Sequence, residues 1–331
     1  MNRHATARGS IVGVVSAVPA RVITNADCPD PAAADEAAKL TGVLERRWVG
    51  PGQSSRTLCT DAAKRLLEGL AWAPASIDVL VYVTQTPEGA VPADVYRIAT
   101  ELGVPVSCAC LQINWSCSGY VYGLWTTMRL LQGGQRALLL VGDATSTIAD
   151  PADRATAPLF GDAGSATAIG GSDVEQHFVL GTDGAGADKL CCNLHGSITI
   201  DEQIEGPHLH MDGAAVFNFT LKRVPQLVKD VMAHSEPTYL LFHQANRFML
   251  EHLVKKAGLQ GYATGSAIPT NIERFGNCSC ASIPLLMCSE LVPDLTRSWN
   301  RLALFGFGAG YAWAGASIQC APLDVVELIE V

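Results

Sequence analysis

Long hydrophobic runs are missing from this chain of 331 residues. No segment approaches the roughly 18 to 20 uncharged apolar residues that a spanning helix needs. The opening residues MNRHATARGS have no apolar centre of the secretory kind and lead straight into IVGVVSA, so a cytoplasmic location is expected. Positive charge is also scarce: 23 Lys and Arg against 32 Asp and Glu leave a net of -9. That balance opposes non-specific binding to nucleic acid or anionic membrane. Charged residues of both signs make up only 17% against 48% apolar, a composition that excludes disorder and predicts a globular protein. The eleven cysteines contain no CxxC pair, and Cys108/Cys110, Cys191/Cys192 and Cys278/Cys280 sit in apolar or glycine-rich settings. An odd count in a large chain argues against a disulfide framework and against a metal site, leaving free thiols. GFGAG at 306–310 has no βαβ unit and acidic partner after it, which speaks against a dinucleotide site. No cofactor is expected.

What is present reads as alternating strands and helices. Residues 10–18, 77–86, 106–114 and the run RALLLVGDA are apolar strand candidates, suited to a sheet covered on both faces. Helical spacing marks 31–41, 57–70, about 92–102 with Pro92 in its first turn, and the stretch from Cys117 to the stop at Gly133 and Gly134. The second half continues in the same manner, with a helix carrying Pro225 where a kink or break is expected. Strands spaced by helical crossovers predict an α/β protein with parallel sheet. The halves divide near residue 175, as 1–175 and 176–331, with no linker between them.

Three positions stand out chemically. Cys117 follows a strand and opens a helix, where unpaired N–H groups and the positive helix end favour thiolate over thiol. Core packing of a small apolar side chain explains the same position. His243 follows the strand TYLLF, where open sheets place ligands, although a structural histidine fits there too. Asn277, in RFGNCSCAS, reads equally as a turn or cap residue.

Taken in order, NWSCSGYVYGL, LLVGDATS, LFGDAGSATAIG, LGTDGAGAD, MDGAAVFNF, HQAN at 243–246, IPTNIERFGNCSCASIP at 268–284 and GFGAGYAWAGA at 306–316 resemble a β-ketoacyl-acyl-carrier-protein synthase III. That family belongs to the condensing enzymes of the thiolase superfamily, and the likeness runs over nearly the whole chain. It implies a thiolase-like five-layer α-β-α-β-α fold built from two duplicated halves and working as a homodimer. The first half would carry the nucleophile Cys117, and the second half the catalytic His243 and Asn277. The backbone N–H groups of Cys117 and Ala309 would form the oxyanion hole. Val91, Trp115, Phe217 and Phe307 are the substrate-pocket candidates, Val91 reaching into the other subunit's pocket. Asn246, Arg247 and Phe248 are the candidates at the carrier and substrate entrance.

The resemblance also implies the partners: an acyl thioester on acyl carrier protein or coenzyme A, and a malonyl-type thioester for decarboxylative condensation. Specialised fatty acid or polyketide metabolism is the expected setting. Departures concentrate at the entrance. Residues 25–41 are short and alanine-rich, Arg247 follows HQAN at once, and Asn218 stands where a docking lysine is common. Arg46, Arg47, Lys222, Arg223 and Arg247 could supply a basic rim instead. Transfer of the Cys117-bound acyl group to an alcohol, amine or other carbon nucleophile is the alternative activity. A non-catalytic interaction subunit is the alternative of another class.

Overall fold

The computed structural model describes residues 2–192, 208–264 and 266–331. Nine strands hydrogen-bond into one sheet: β1 (Arg3–Val18), β2 (Val79–Val83), β3 (Ala109–Ile113), β4 (Arg136–Asp143), β5 (Ala163–Thr182), β6 (Tyr239–Phe242), β7 (Asn300–Gly308), β8 (Ala312–Cys320) and β9 (Val325–Glu330). β1 and β5 run antiparallel along most of their length, with register shifts between Arg8 and Ser10 and between Ile11 and Gly13. On one side of this break, β5 from Gly164 to Gly170 continues into β4, β2 and β3, while β9 flanks β1. On the other side, β5 near His177–Thr182 continues into β8, β7 and β6. Residue 175 therefore lies within a strand that passes from one block of the sheet to the other.

The sheet is mixed, where a parallel one was expected. β4–β5, β5–β8 and β7–β8 are antiparallel. A tight turn like that between Gly308 and Ala312 can join only antiparallel strands.

Helices cover both blocks on both faces, giving five layers. Outermost on the first block lie α2 (Ser55–Gly69) and α3 (Val95–Leu102); an earlier helix, α1 (Pro31–Thr41), lies outside these layers and contacts α6, defined below. Between the blocks run α4 (Gly119–Leu130) and α7 (Ser282–Glu290). Outermost on the second block lie α5 (Gly213–Met232) and α6 (Arg247–Lys256). The two-residue strand period explains why the sheet sequences are apolar throughout. Ala137, Leu139 and Val141 of β4 face the central helices, and Leu138 and Leu140 face α2 and α3. In β7, Leu302 and Leu304 point to the centre, whereas Ala303, Phe305 and Phe307 point to α5 and α6. This is the α/β, thiolase-like architecture the resemblance implied.

Local differences have local reasons. Helix α3 begins at Val95, not at Pro92, because the Asp94 carboxylate accepts the Glu88 N–H and fixes a loop there. Helix α5 runs unbroken through Pro225. The missing hydrogen bond and ring clash cost about 3 kcal/mol, offset by burying Val224, Leu227, Val228 and Val231 against the second block.

Candidate active site

Cys117 lies between β3 and α4, two residues ahead of the helix it was expected to open. Ser118 is the helix N-cap, but its side chain caps nothing; its hydroxyl accepts the Trp115 indole N–H at 2.8 Å. Gly119 packs where an added Cβ would lie 2.8 Å from the Val83 side chain, so the helix start is pressed onto β2. The sulfur of Cys117 accepts the Ser116 hydroxyl at 3.3 Å and stands 3.8 Å from the Ser279 hydroxyl. β7 passes directly over it. A Cβ on Gly308 would meet the Cys117 Cβ at 2.8 Å and Sγ at 3.0 Å, and one on Gly306 would meet the Ser118 Cα at 2.7 Å. The alternation Phe305-Gly306-Phe307-Gly308 thus turns bulk away from the cysteine and backbone toward it.

Burial pushes the Cys117 thiol above its ordinary value, and the hydrogen bonds from Ser116 and Ser279 oppose that only in part. The expectation of a ready thiolate is corrected accordingly: at neutral pH the sulfur carries its proton. Desolvation of a charge outweighs a few donors when no cation stands beside it.

His243 directly follows β6, its backbone N–H bound to the Phe305 carbonyl at 2.8 Å. The imidazole is buried, and its Nδ1 has no hydrogen-bond partner among the described residues. Burial lowers its pKa to about 3, with a hydrogen bond to the Ser279 backbone pulling the other way. The ring is neutral at neutral pH. Asn277 is anchored through its backbone to Leu159 and Gly161. Its Oδ1 accepts the Ser279 N–H at 2.9 Å, while Nδ2 reaches the Ala245 carbonyl only at 3.4 Å. The carboxamide oxygen is thereby occupied and the NH₂ is left as the available donor.

The depressed histidine value has a consequence for stability. Between pH 6.5 and about 3 the unfolded chain protonates this imidazole and the folded chain does not, so stability falls as pH drops through that window. Going from pH 7 to 5, wild type is expected to lose about 2 kcal/mol more than His243→Gln. Urea midpoints at fixed salt measure the difference. Buried carboxylates such as Asp162, raised to about 6, act with the opposite sign but are common to both proteins. Equal losses would show that the imidazole is not buried neutral.

Cys117, His243 and Asn277 line one cavity of about 90 Å³, together with Phe307, whose ring meets His243 edge-on at 5.5 Å, and Asn246. Leu190 lines both this cavity and a second one of about 490 Å³, bordered by Gln85, Trp115, Ser116 and Ala309. The larger cavity is of the size that takes a small ligand. Trp115 lies in its wall, its ring tilted against Tyr122 with centroids 4.6 Å apart. Phe217 lines neither cavity; it packs against Phe248 and His252. Val91 is 90% exposed in the single chain.

Residues 111–186 match the family profile described as 3-oxoacyl-[acyl-carrier-protein (ACP)] synthase III, and residues 227–320 match its C-terminal counterpart. A β-ketoacyl-[acyl-carrier-protein] synthase III of Rhodopirellula baltica is 30% identical over 92% of this chain and 96% of its own length. The chain belongs to the 3-oxoacyl-acyl-carrier-protein synthase III family. Among solved structures, a 3-oxoacyl-(acyl-carrier protein) synthase of Burkholderia xenovorans LB400 is 41% identical, covering 100% of this chain and 99% of that one at a TM-score of 0.94. The priming β-ketosynthase of the R1128 polyketide pathway is 26% identical, covering 96% of this chain and 97% of that one at a TM-score of 0.79. This member of the synthase III family therefore has the fold and the general character of a condensing enzyme.

Two members of its suggested basic rim, Arg46 and Arg47, are corrected by the structure. Arg46 is fully buried, its guanidinium bound to Asn25 at 2.8 Å and the Pro158 carbonyl at 2.7 Å. Arg47 donates to the Pro19 and Ala20 carbonyls and to Glu330. Both tie loops of the protein to its core. Arg223 pairs with Asp183 at 3.1 Å, and Arg247 lies beside Gly42 and 3.5 Å from Glu273. Asn246 caps α6 through the Met249 N–H, and Phe248 is 40% exposed. Sequence reasoning passed over Gln85, Asp143 and Ser279, which cluster beneath the cysteine. No spacing singles them out, since each sits in an ordinary strand end or turn. Among the described residues no cluster of three or more potential metal ligands occurs, and no helix is long and apolar enough to cross a membrane.

Proposed function

We propose that the protein moves an acyl group from a thioester onto Cys117 and then condenses it with a malonyl-type thioester, with loss of carbon dioxide. The observation that carries this reading is the meeting of one thiol, one neutral imidazole and one donor carboxamide on a single buried cavity. In the first half-reaction the Cys117 sulfur bonds to the thioester carbon, and the donor's thiolate leaves and takes up a proton. The backbone N–H groups of Cys117 and Ala309 are assigned to the oxyanion, where one such donor is worth roughly 3 to 4 kcal/mol.

In the second half-reaction the malonyl carboxylate departs as carbon dioxide, and its electron pair forms the thioester enolate. His243 and Asn277 are the hydrogen-bond donors to that enolate oxygen. Neither needs to remove a proton, in keeping with a histidine held neutral. The enolate carbon attacks the Cys117 thioester, and the cysteine thiolate is released with a β-ketoacyl thioester as product. The larger cavity, reached past Leu190, is assigned to the acyl chain, with Trp115 shaping one wall. Exposed Val91 fits a residue contributed to a second copy's cavity in a homodimer. Phe217, Phe248, Asn246 and Arg247 are assigned to the outer approach of the carrier-bound or coenzyme A-bound substrate. Likeness to a polyketide-priming ketosynthase supports a role in specialised fatty acid or polyketide metabolism.

Intact-protein mass spectrometry against a panel of coenzyme A-bound and carrier-bound acyl donors tests the first half. An acyl adduct is expected on wild type and not on Cys117→Ala. Addition of malonyl-carrier should then discharge the adduct with release of carbon dioxide. Discharge by alcohols or amines without carbon dioxide release would replace condensation by the alternative transfer.

A further inference from the structure

One residue outside the expected set touches two members of it and bears electrostatically on the third. Ser279 sits at a left-handed φ of 47° and is 1% exposed. Its backbone N–H donates to the Asn277 Oδ1 at 2.9 Å, and its backbone opposes the lowering of the His243 pKa by burial. Its hydroxyl lies 3.8 Å from the Cys117 sulfur and accepts the Gln85 Nε2–H at 3.1 Å. The same hydroxyl lies near enough to Asp143 to oppose the upward pKa shift that burial imposes on it, the carboxylate being fully buried at the end of β4. The other donors to Asp143 include the Thr84 hydroxyl at 3.0 Å, the Gln85 N–H at 2.8 Å and the Cys280 thiol at 3.2 Å. No ion pair to it occurs among the described residues.

A hydroxyl has a single proton to give. With Gln85 occupying one side of the oxygen, that proton is left with two acceptors, Asp143 and the Cys117 sulfur. We propose that Ser279 is a positioning residue for Cys117, its hydroxyl steered by Gln85 and turning from Asp143 to the sulfur when the sulfur becomes negative. This rests on the reading of Cys117 as the acyl-carrying thiol. While the sulfur is protonated, the Ser279 proton serves Asp143 and the S–H faces the serine oxygen. When the S–H ionises, its proton passes to water and the serine O–H rotates onto the thiolate. Acylation removes the negative charge and the hydroxyl returns to Asp143. The carboxylate opposes a second negative charge beside it, so Asp143 and Ser279 bias the thiol in opposite directions. The titratable groups facing Cys117 are Asp143, Cys280 and, across the cavity, His243. Those facing Asp143 also include Cys59, Cys278, Tyr82 and Asp162.

The test is alkylation of Cys117 by iodoacetamide, in which the sulfur bonds to the methylene carbon and iodide leaves. It is followed on the Cys117 peptide by mass spectrometry across the thiol's titration range. Ser279→Ala and Ser279→Gly, the latter suited to the left-handed backbone, are each expected to move the profile up by about one pH unit and slow neutral-pH alkylation about tenfold. Asp143→Asn is expected to move it down and speed alkylation, by less when combined with Ser279→Ala. An unmoved profile in both Ser279 variants, or an upward shift in Asp143→Asn, overturns the proposal. Acylation by thioesters is measured separately in the same proteins. Alkylation shifts of the expected sign in a wild type that takes no acyl group would tell against the acyl-carrier reading and leave Ser279 in its role.

Discussion

Gly308→Ala is expected to cut acyl transfer at least about a hundredfold while the protein still folds, because a misplacement of roughly 1 Å at the reacting atoms costs that much. The added methyl would meet the Cys117 Cβ at 2.8 Å and Sγ at 3.0 Å, and the Cβ cannot move without the backbone that carries it. Relief requires the sulfur to swing off its line between Ser116 and Ser279, or β7 to lift from α4. Overpacking of this kind costs typically 1 to 3 kcal/mol of stability, which a large α/β core tolerates. Single-turnover formation of the acyl adduct reads the effect, with thermal melting as the control. Near-normal adduct formation would mean that the backbone approach is not needed for the chemistry.

Asn277→Asp separates the two half-reactions. Its carboxylate keeps an oxygen for the Ser279 N–H, so the local turn survives, while the donor NH₂ is lost. A negative charge then stands where the enolate develops. Carbon dioxide release from a malonyl thioester is expected to fall about 10² to 10³-fold or more, the cost of losing one oxyanion donor. Acylation of Cys117 should stay within a few-fold of wild type. A parallel loss in both steps would remove the assignment of Asn277 to the condensation half-reaction.

The sequence was informative where periodicity speaks plainly. Leu138–Leu140 read as part of a strand in a sheet covered on both sides, and both faces are indeed packed. The antiparallel pairs were not legible, because an apolar run has no direction until its turns are known. Cys117, His243 and Asn277 were visible only as an ordered set of motifs; each alone had an ordinary structural explanation. Their meeting at one cavity comes from chain crossings that no local pattern encodes. Arg46 and Arg47 misled for a related reason: a charged residue in a turn reads as surface. Here Asn25, the Pro158 carbonyl and the Cys28 sulfur hold the Arg46 guanidinium away from solvent. Phe217 was read through its neighbours in sequence, yet its position on α5 directs it to Phe248 and His252.

The continuity of β1 and β5 through both sheet blocks has a consequence for how the chain is made. Arg3–Arg8 complete the block built by the later residues, and Val325–Glu330 complete the block built by the earlier ones. During synthesis, the part that emerges first must wait for the last strand before its sheet edge is closed. Neither portion is a free-standing module that an expression vector could supply alone.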